Sequence, residues 1–442
     1  MSASKAPASR SLAFASHESR RRWPTSVGVI PWAALVAGVA AWGAALARAR
    51  PEIHLDAAPL FGRVDPHPSW RIAPALVLGA LAVAYAQRIA GRVSWRRLLL
   101  MTTIAAAGWA LALAFVDGQA AWYEPLLGRH EYLQQVARID SLSLFLGGFV
   151  EDLASFPIHV QGHPPGMVAV LYGLDGIGFG GAQWAAALVI GAGASAAAAV
   201  LIALRAVAGE NIARTAAPFV VLAPAAIWIA TSADAFFTGV SAWAVALGVV
   251  AVVGAGRRAT VAAVCGGMVF GCALLLSYGV VLLGFIVVAV AWSRRRAGPA
   301  LLFATSASVV LVGAGMWGFW WPDGLLATRA AYLAGVASDR PHIFFFVSNL
   351  AAFALVLGPA TAAALLDGRV RGAGMVVAPA LAAVTVAAIS GMSKGEVERI
   401  WLPFAVWILP AAVWLRATLR RRWLAAQVAV ALVIQVLVVT PW

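Results

Sequence analysis

The chain is 442 residues long, 62% hydrophobic and only 11% charged, with a mean hydropathy of +0.87. A soluble protein carries about 25% charged residues, which excludes an ordinary soluble enzyme, a disordered scaffold and a disulfide-stapled secreted domain. The net charge of +14 would point to nucleic acid in a soluble chain. Here the basic residues fall in short gaps between apolar runs, so membrane topology accounts for them and no nucleic-acid partner is expected.

Residues 1–26 are polar and rich in Ser, Ala and Arg, and read as a disordered cytoplasmic tail. The apolar run that follows exceeds a signal-peptide core and reads as an uncleaved anchor. Residues 27–442 read as one membrane-embedded all-α domain. At about 20 apolar residues per crossing, spans are expected at 27–49, 73–90, 98–116, 183–206, 214–231, 236–255, 260–276, 278–293, 299–317, 345–366, 373–390, 400–416 and 424–440. That is about thirteen, or eleven at the low end where short neighbours such as 260–276 and 278–293 merge. The Ala/Gly stretch 185–200 reads as a close-packing surface between helices. Cys265 and Cys272, seven apart on one face of a span, read as packing thiols, since no metal-ligand spacing surrounds them.

With the N-terminus inside, the clusters Arg20–Arg22, Arg92/Arg96/Arg97, Arg257–Arg258, Arg294–Arg296, Arg369/Arg371 and Arg416/Arg420–Arg422 all fall in the cytoplasm, as the positive-inside rule requires. The acids do the reverse: only Glu18, Glu210 and Asp367 of the 18 fall inside. The chemistry is therefore expected on the extracytoplasmic face, in the polar segments 50–72, 117–182, 318–344 and 391–399. No Gly-rich phosphate loop or Walker motif serves a cytosolic nucleotide.

Segment 117–182 is the richest. It carries His130-Glu131-Tyr132, and Glu131, Gln135 and Arg138 have the i, i+4, i+7 spacing of one helix face. A carboxylate beside an imidazole at a membrane surface suits a general base; a solvated polar stripe is the plainer reading. His163-Pro164-Pro165-Gly166 follows. The prolines stiffen the backbone and the glycine permits a close approach, so a rigid entry to a surface-lying or re-entrant helix over 167–181 is expected. Ser232-Ala-Asp234 stands at the start of a span, where an acid is costly unless solvated or paired. Lys394-Gly-Glu396-Val-Glu398-Arg399-Ile-Trp401 packs two cations and two acids between two spans. Lys and Arg are natural phosphate ligands, and a neutralised surface cluster is the alternative. Arg340, with Arg329 and Asp339, is a weaker cation in 318–344. Segment 50–72 carries His54, His67, Asp56 and Asp65 in no recognisable metal spacing.

The order of these features resembles the C-type membrane glycosyltransferases, in the branch of the protein O-mannosyltransferases and lipid A aminoarabinose transferases. His130-Glu131-Tyr132 is similar to the acidic motif that opens that family's first large outer loop. His163-Pro164-Pro165, with Leu171-Tyr172 and Gly178-Phe179-Gly180 after it, is similar to its Lys/His-Pro-Pro element. Asp234 matches its later acid, and Gly271 to Ser277-Tyr278-Gly279 its Gly-rich hairpin. The resemblance covers about residues 117–295. The family's first motif usually opens with Asp where His130 stands, Tyr278 replaces its lysine, and no large soluble domain follows the last span.

The resemblance implies a C-type fold and transfer of a sugar from a polyprenyl-phosphate donor to an envelope glycan, glycolipid or protein, with inversion. Glu131 would be the base, with Asp234 and His130 beside it. His163, Lys394, Arg399 and Arg340 would stabilise the departing phosphate, and Pro164, Pro165, Glu396, Glu398, Tyr278 and Arg138 would support the site. No cofactor is called for; a divalent metal is compatible with the acids but not expected. Arg in place of Lys and the abundance of Ala fit a bacterial plasma-membrane protein. A flippase or transporter of a lipid-linked substrate, and a non-catalytic partner in an envelope assembly, are the competing classes.

Overall fold

Inside a bilayer the backbone must satisfy its own hydrogen bonds, and a helix does so within one segment. The computed structural model describes residues 29–53, 55–230, 232–335, 338–367 and 372–442; the tail expected over 1–26 lies outside them. Helices α1 (Val29–Ala49), α2 (Ala73–Arg92) and α3 (Trp95–Ala114) lead into an irregular segment. Its short helices are α4 (Leu133–Val136), α5 (Leu142–Gly148), α6 (Ile158–Gln161) and α7 (Gly166–Gly176). Then come α8 (Ala182–Ala208), α9 (Glu210–Val221), α10 (Asp234–Val253), α11 (Gly256–Leu274), α12 (Gly284–Arg294) and α13 (Ala297–Met316). After α14 (Trp321–Ala334) follow α15 (His342–Leu366), α16 (Gly374–Ser390), α17 (Val397–Ile400), α18 (Leu402–Ile408) and α19 (Arg420–Leu437). Two-residue strands β1 (Arg63–Val64) and β2 (Val438–Val439) pair antiparallel.

The protein is nearly all-α and multi-pass. By length and composition, eight described helices can cross a membrane: α1, α2, α3, α8, α10, α11, α13 and α15. A ninth is counted if Leu402–Trp414 and Ala417–Leu437, which meet at 112°, form one broken span. The sequence reading expects thirteen. The remaining five segments are short or broken. Over 214–231, Pro218 lies inside α9, which ends at Val221, and Pro224 opens a 3-10 turn to Ile229. Over 278–293, a 3-10 turn Tyr278–Leu283 precedes an 11-residue α12. Helix α16 has 17 residues and contains Pro379. Pro403 and Pro410 stand at the starts of α18 and of the 3-10 turn Leu409–Trp414. Helix α19 opens on three arginines and runs into β2. Proline supplies no amide to the helix ladder, which gives the interruptions near Pro218, Pro224, Pro403 and Pro410 a local, covalent origin.

Small residues set the helix spacing, as expected for 185–200. A Cβ on Gly239 of α10 would lie 2.2 Å from the Ala192 carbonyl oxygen of α8, and one on Gly193 would lie 2.8 Å from the Ala235 Cβ. Between α11 and α13, a Cβ on Gly267 would lie 2.2 Å from the Phe303 oxygen. Such backbone contact is how helices associate where lipid removes the hydrophobic drive. Gly239→Val is therefore expected to cost about 1–3 kcal/mol or more from overpacking, read as a lower thermal unfolding midpoint in detergent. Gly191→Val is the control, since nothing lies within 4 Å of that position. Cys265 and Cys272 depart from expectation: both are free and exposed on α11. The α11 face that packs is the glycine face, so the thiols point away from it.

The charges sort by end of the bundle. Arg214 donates to the carbonyls of Ala90 (2.6 Å) and Val93 (2.9 Å) and pairs with Glu210, while Arg205 lies over Trp95. These contacts gather the α2–α3 and α8–α9 turns at one end. The C-termini of α3 and α16 and the N-termini of α8, α10 and α15 lie at the other, with segment 117–182 and α17.

Candidate functional site

At that second end one cation gathers the polar side chains. Arg399 sits on α17, whose approach is bent by Gly395 (φ +101) and by Glu396 in the left-handed region (φ +62). A non-glycine residue pays about 1–2 kcal/mol for that conformation. The bend lets the Glu396 carbonyl accept the amides of Arg399 (3.2 Å) and Ile400 (3.1 Å) and brings its carboxylate onto its own neighbour's guanidinium.

Arg399 is only 4% exposed. Its Nη1 donates to Asp234 Oδ2 at 2.7 Å, across 165 residues of sequence. Its Nη2 donates to Glu396 Oε2 and to His159 Nε2, the latter at 2.9 Å. The guanidinium carbon lies 4.4 Å from the centroid of the Trp442 ring, within cation–π range. Burial opposes the charge on Arg399, but the carboxylates of Glu396, Asp234 and Glu131 outweigh it and raise the pKa, so the group stays cationic.

Asp234 is the first residue of α10 and is buried. An acid there is favoured by the helix dipole. Its Oδ2 also accepts the Ser232 hydroxyl at 2.8 Å. Of the two readings left open by the sequence, a solvated turn and a paired acid, the structure shows the second.

The imidazoles follow from their partners. Because Arg399 donates to His159 Nε2, the His159 proton sits on Nδ1, which lies 2.8 Å from Glu131 Oε1. His163 Nδ1 donates to the His159 carbonyl at 2.9 Å, which leaves Nε2 unprotonated, 3.9 Å from Asp234 Oδ1. Burial lowers the His163 pKa, in keeping with a neutral ring. Glu131, Asp234, His163 and Arg399 are thus brought together, with His159 as the link between Glu131 and Arg399. Beside Glu131 runs a narrow apolar crevice with room for about 10 Å³, lined by Leu126, Leu133, Met167 and Leu171 among others. A second cavity, about 380 Å³ between the ends of α2 and α3 near Phe115 and Trp122, touches none of these charges.

The rigid entry before α7 is present. Pro164 and Pro165 are buried, and the Gly166 amide donates to the Leu275 carbonyl at 2.9 Å. A Cβ at Gly166 would lie 2.2 Å from that oxygen, so only glycine fits. Helix α7, at 11 residues, is too short to span.

Other expected residues sit at the rim or away from it. His130 is half-buried; its Nε2 accepts from Arg129, and burial and that cation lower its pKa. Lys394 Nζ donates to the Arg340 carbonyl at 3.0 Å while Arg340 Nη1 donates to the Lys394 carbonyl. Arg340 also lies against the Phe61 and Phe345 rings, at 5.5 and 5.3 Å. Glu398 is fully buried, and its Oε1 accepts the Phe61 amide at 3.1 Å. Tyr278 packs on Trp321 at 5.4 Å, and none of the Arg399 contacts among the described residues includes it. Arg138 corrects the sequence reading. Helix α4 spans only Leu133–Val136, so no single helix face carries Glu131, Gln135 and Arg138; Gln135 is buried and Arg138 is exposed.

Three site residues escape the sequence reading, His159, Phe61 and Trp442, and Ser232 enters it only as the neighbour of Asp234. His159 stands four residues before His163, a signal for one local turn. Ser232 is two residues before Asp234, the usual spacing for a serine that bonds a neighbouring backbone amide. Phe61 and Trp442 stack at 5.3 Å and roof the guanidinium, held by the β1–β2 pair. Nothing in sequence order relates them. Among the described residues no group of three or more His, Cys, Asp or Glu is placed to hold a metal ion. Comparison with protein-family models, curated proteins and solved structures returned no match.

Proposed function

We propose that the protein is a membrane-embedded glycosyltransferase of the C type, moving a sugar from a polyprenyl phosphate to a hydroxyl acceptor at the extracytoplasmic face of a bacterial plasma membrane. The observation that carries this reading is the buried Glu131–His159 contact at 2.8 Å, joined through Arg399 to Asp234 at the end of the bundle away from the Arg205–Arg214 turns. His159 Nδ1 lies beside Glu131 Oε1 at 2.8 Å but out of hydrogen-bonding alignment, so in this reading a small turn of the imidazole brings its proton onto the carboxylate and leaves the other oxygen to receive the acceptor's proton.

In this reading Glu131 takes the acceptor hydroxyl proton as that oxygen attacks the anomeric carbon. The bond from that carbon to the phosphate oxygen breaks, its electron pair leaves with the lipid phosphate, and the configuration inverts. A phosphate leaving group needs charge stabilisation rather than a proton. Arg399 has both Nη groups engaged by Asp234, Glu396 and His159, so its role is to fix those three groups. Arg340 and Lys394 at the rim are the remaining cations for the phosphate in this reading, and meeting it requires them to leave each other's carbonyls. The crevice beside Glu131 is narrow, so substrate entry requires segment 117–182 to give way.

The test is transfer from a panel of polyprenyl-phosphate sugars to an envelope extract by the purified protein in nanodiscs. Glu131→Gln is expected to lower transfer by about a hundredfold or more while donor binding persists. Undiminished transfer by that variant moves the base elsewhere. Absence of transfer from every donor, with lipid-linked sugar crossing the bilayer of liposomes instead, replaces this reading with a flippase.

A further inference from the structure

A second charged feature lies at the opposite end, away from the Arg399 cluster. Arg257 and Arg258 open α11 just after its turn from α10, and Arg294, Arg295 and Arg296 end α12 and make its turn into α13. Arg296 Nη1 donates to the carbonyls of Val252, at 2.9 Å, and Gly254, which ties the second turn to the first. Close packing of α11 on α13 at Gly267 and Gly271 holds their starts abreast. Arg257, Arg258, Arg294 and Arg295 are all exposed, and none of their guanidinium groups has a hydrogen-bond or ion-pair partner among the described residues. From residue 235 to residue 322 the chain has no Asp or Glu. Arg205 and Arg214, by contrast, share Glu210.

Beside these turns the surface becomes apolar and outward-facing. Trp292 is 86% exposed, and Val288, Leu301 and Val261 are exposed on α12, α13 and α11. Helices α11 and α13 are two of the candidate spans and α12 is a shorter apolar helix beside them, so this outward apolar face suits lipid tails. Four free guanidinium groups, two at each turn, stand directly above them.

We infer that the joined turns bind the headgroup of a lipid bearing two phosphates, of the cardiolipin type. Each phosphate takes one arginine pair through bidentate N–H···O contacts, and the acyl chains lie along Trp292, Val288 and Leu301. The apolar apron selects a lipid over a soluble polyphosphate, and the arginines at both turns select two phosphates over one. Such a lipid bridges two helical hairpins that no acid of their own joins. The inference is independent of any transfer chemistry.

The experiment uses the full-length protein, delipidated in detergent and titrated with cardiolipin, phosphatidylcholine or inorganic pyrophosphate. Its readouts are the unfolding midpoint and the bound lipid seen by native mass spectrometry. Cardiolipin is expected to form a one-to-one adduct and raise the midpoint, and phosphatidylcholine to do neither. The R257Q/R258Q/R294Q/R295Q variant is expected to keep the lipid-free midpoint and to weaken cardiolipin binding on the order of a hundredfold or more. R92Q/R96Q/R97Q, at another basic turn, is expected to keep it. Should the fourfold variant not fold, R257Q/R258Q and R294Q/R295Q are each expected to weaken binding by at least about tenfold. Equal stabilisation by phosphatidylcholine, cardiolipin binding undiminished in the variants, or pyrophosphate binding as tightly as cardiolipin overturns the inference.

Discussion

Arg399→Ala is expected to destabilise the protein by about 3–5 kcal/mol, the cost of removing one partner from a buried ion pair. Asp234 loses its 2.7 Å contact, Glu396 and His159 lose theirs, and Trp442 loses the cation beneath it. Two carboxylates are then left in a site where the guanidinium was only 4% exposed. Lysine is expected to rescue little, because one ammonium cannot reproduce a planar fork aimed at Asp234 on one side and at Glu396 and His159 on the other. The discriminating variant is Arg399→Met combined with Asp234→Asn and Glu396→Gln. It removes the charges together and is expected to recover most of the loss, since a buried pair contributes less to stability than its breakage costs. Unfolding midpoints of the three variants in one detergent settle the matter. A midpoint for Arg399→Ala equal to that of the parent would mean that the cluster is solvated and the acids are not strained by its loss.

What could be seen in the sequence depended on cost. Charge is scarce in this chain, so Glu131, Asp234 and Arg399 stood out as residues that must be paired or used. Their pairing did not, because Arg399 and Asp234 meet across 165 residues and only the packing of α10 against α18 and α17 brings them together. The same gap made Arg399 read as a free phosphate ligand, although its donors are engaged within the protein. The Gly166 approach was legible because a glycine after two prolines has a local cause. The stripe from Glu131 to Arg138 failed for a related reason: helical spacing over eight residues says nothing about whether the backbone completes two turns, and here it completes one. The expected spans run through breaks at Pro218, Pro224, Pro403 and Pro410. A hydropathy window averages over a single breaker that the backbone cannot ignore.

Segment 50–72, unassigned from sequence, has its meaning in the fold. Phe61 stacks on Trp442, which lies on Arg399, and its amide is held by Glu398. The β1–β2 pair continues the same strap, with the Asp65 and His67 amides donating to the carbonyls of Leu437 and Val436. A roof of this kind excludes water from the Arg399 contacts, which strengthens each of them.

Raising the pH from about 5 to about 8 is expected to weaken that roof through Glu398. The residue lies on α17, outside the candidate spans, and burial pushes its carboxyl up to about 8. In the unfolded chain it ionises near the ordinary glutamate value of about 4.3. Between those values the unfolded state has released its proton and the folded state has not, so stability falls as pH rises across that window and levels off above it. The full effect is on the order of 4 kcal/mol. Glu398→Gln keeps an acceptor for the Phe61 amide and removes the titration. Its unfolding midpoint is therefore expected to change little between pH 5 and 8 where that of the parent falls, so that the variant is the more stable of the two at pH 8. Parallel midpoint curves for the two proteins would place the proton elsewhere. Amide exchange at Phe61 gives the local counterpart: above pH 8 an ionised Glu398 draws water under the strap, and after correction for the intrinsic rate this amide is expected to lose protection in the parent but not in the glutamine variant.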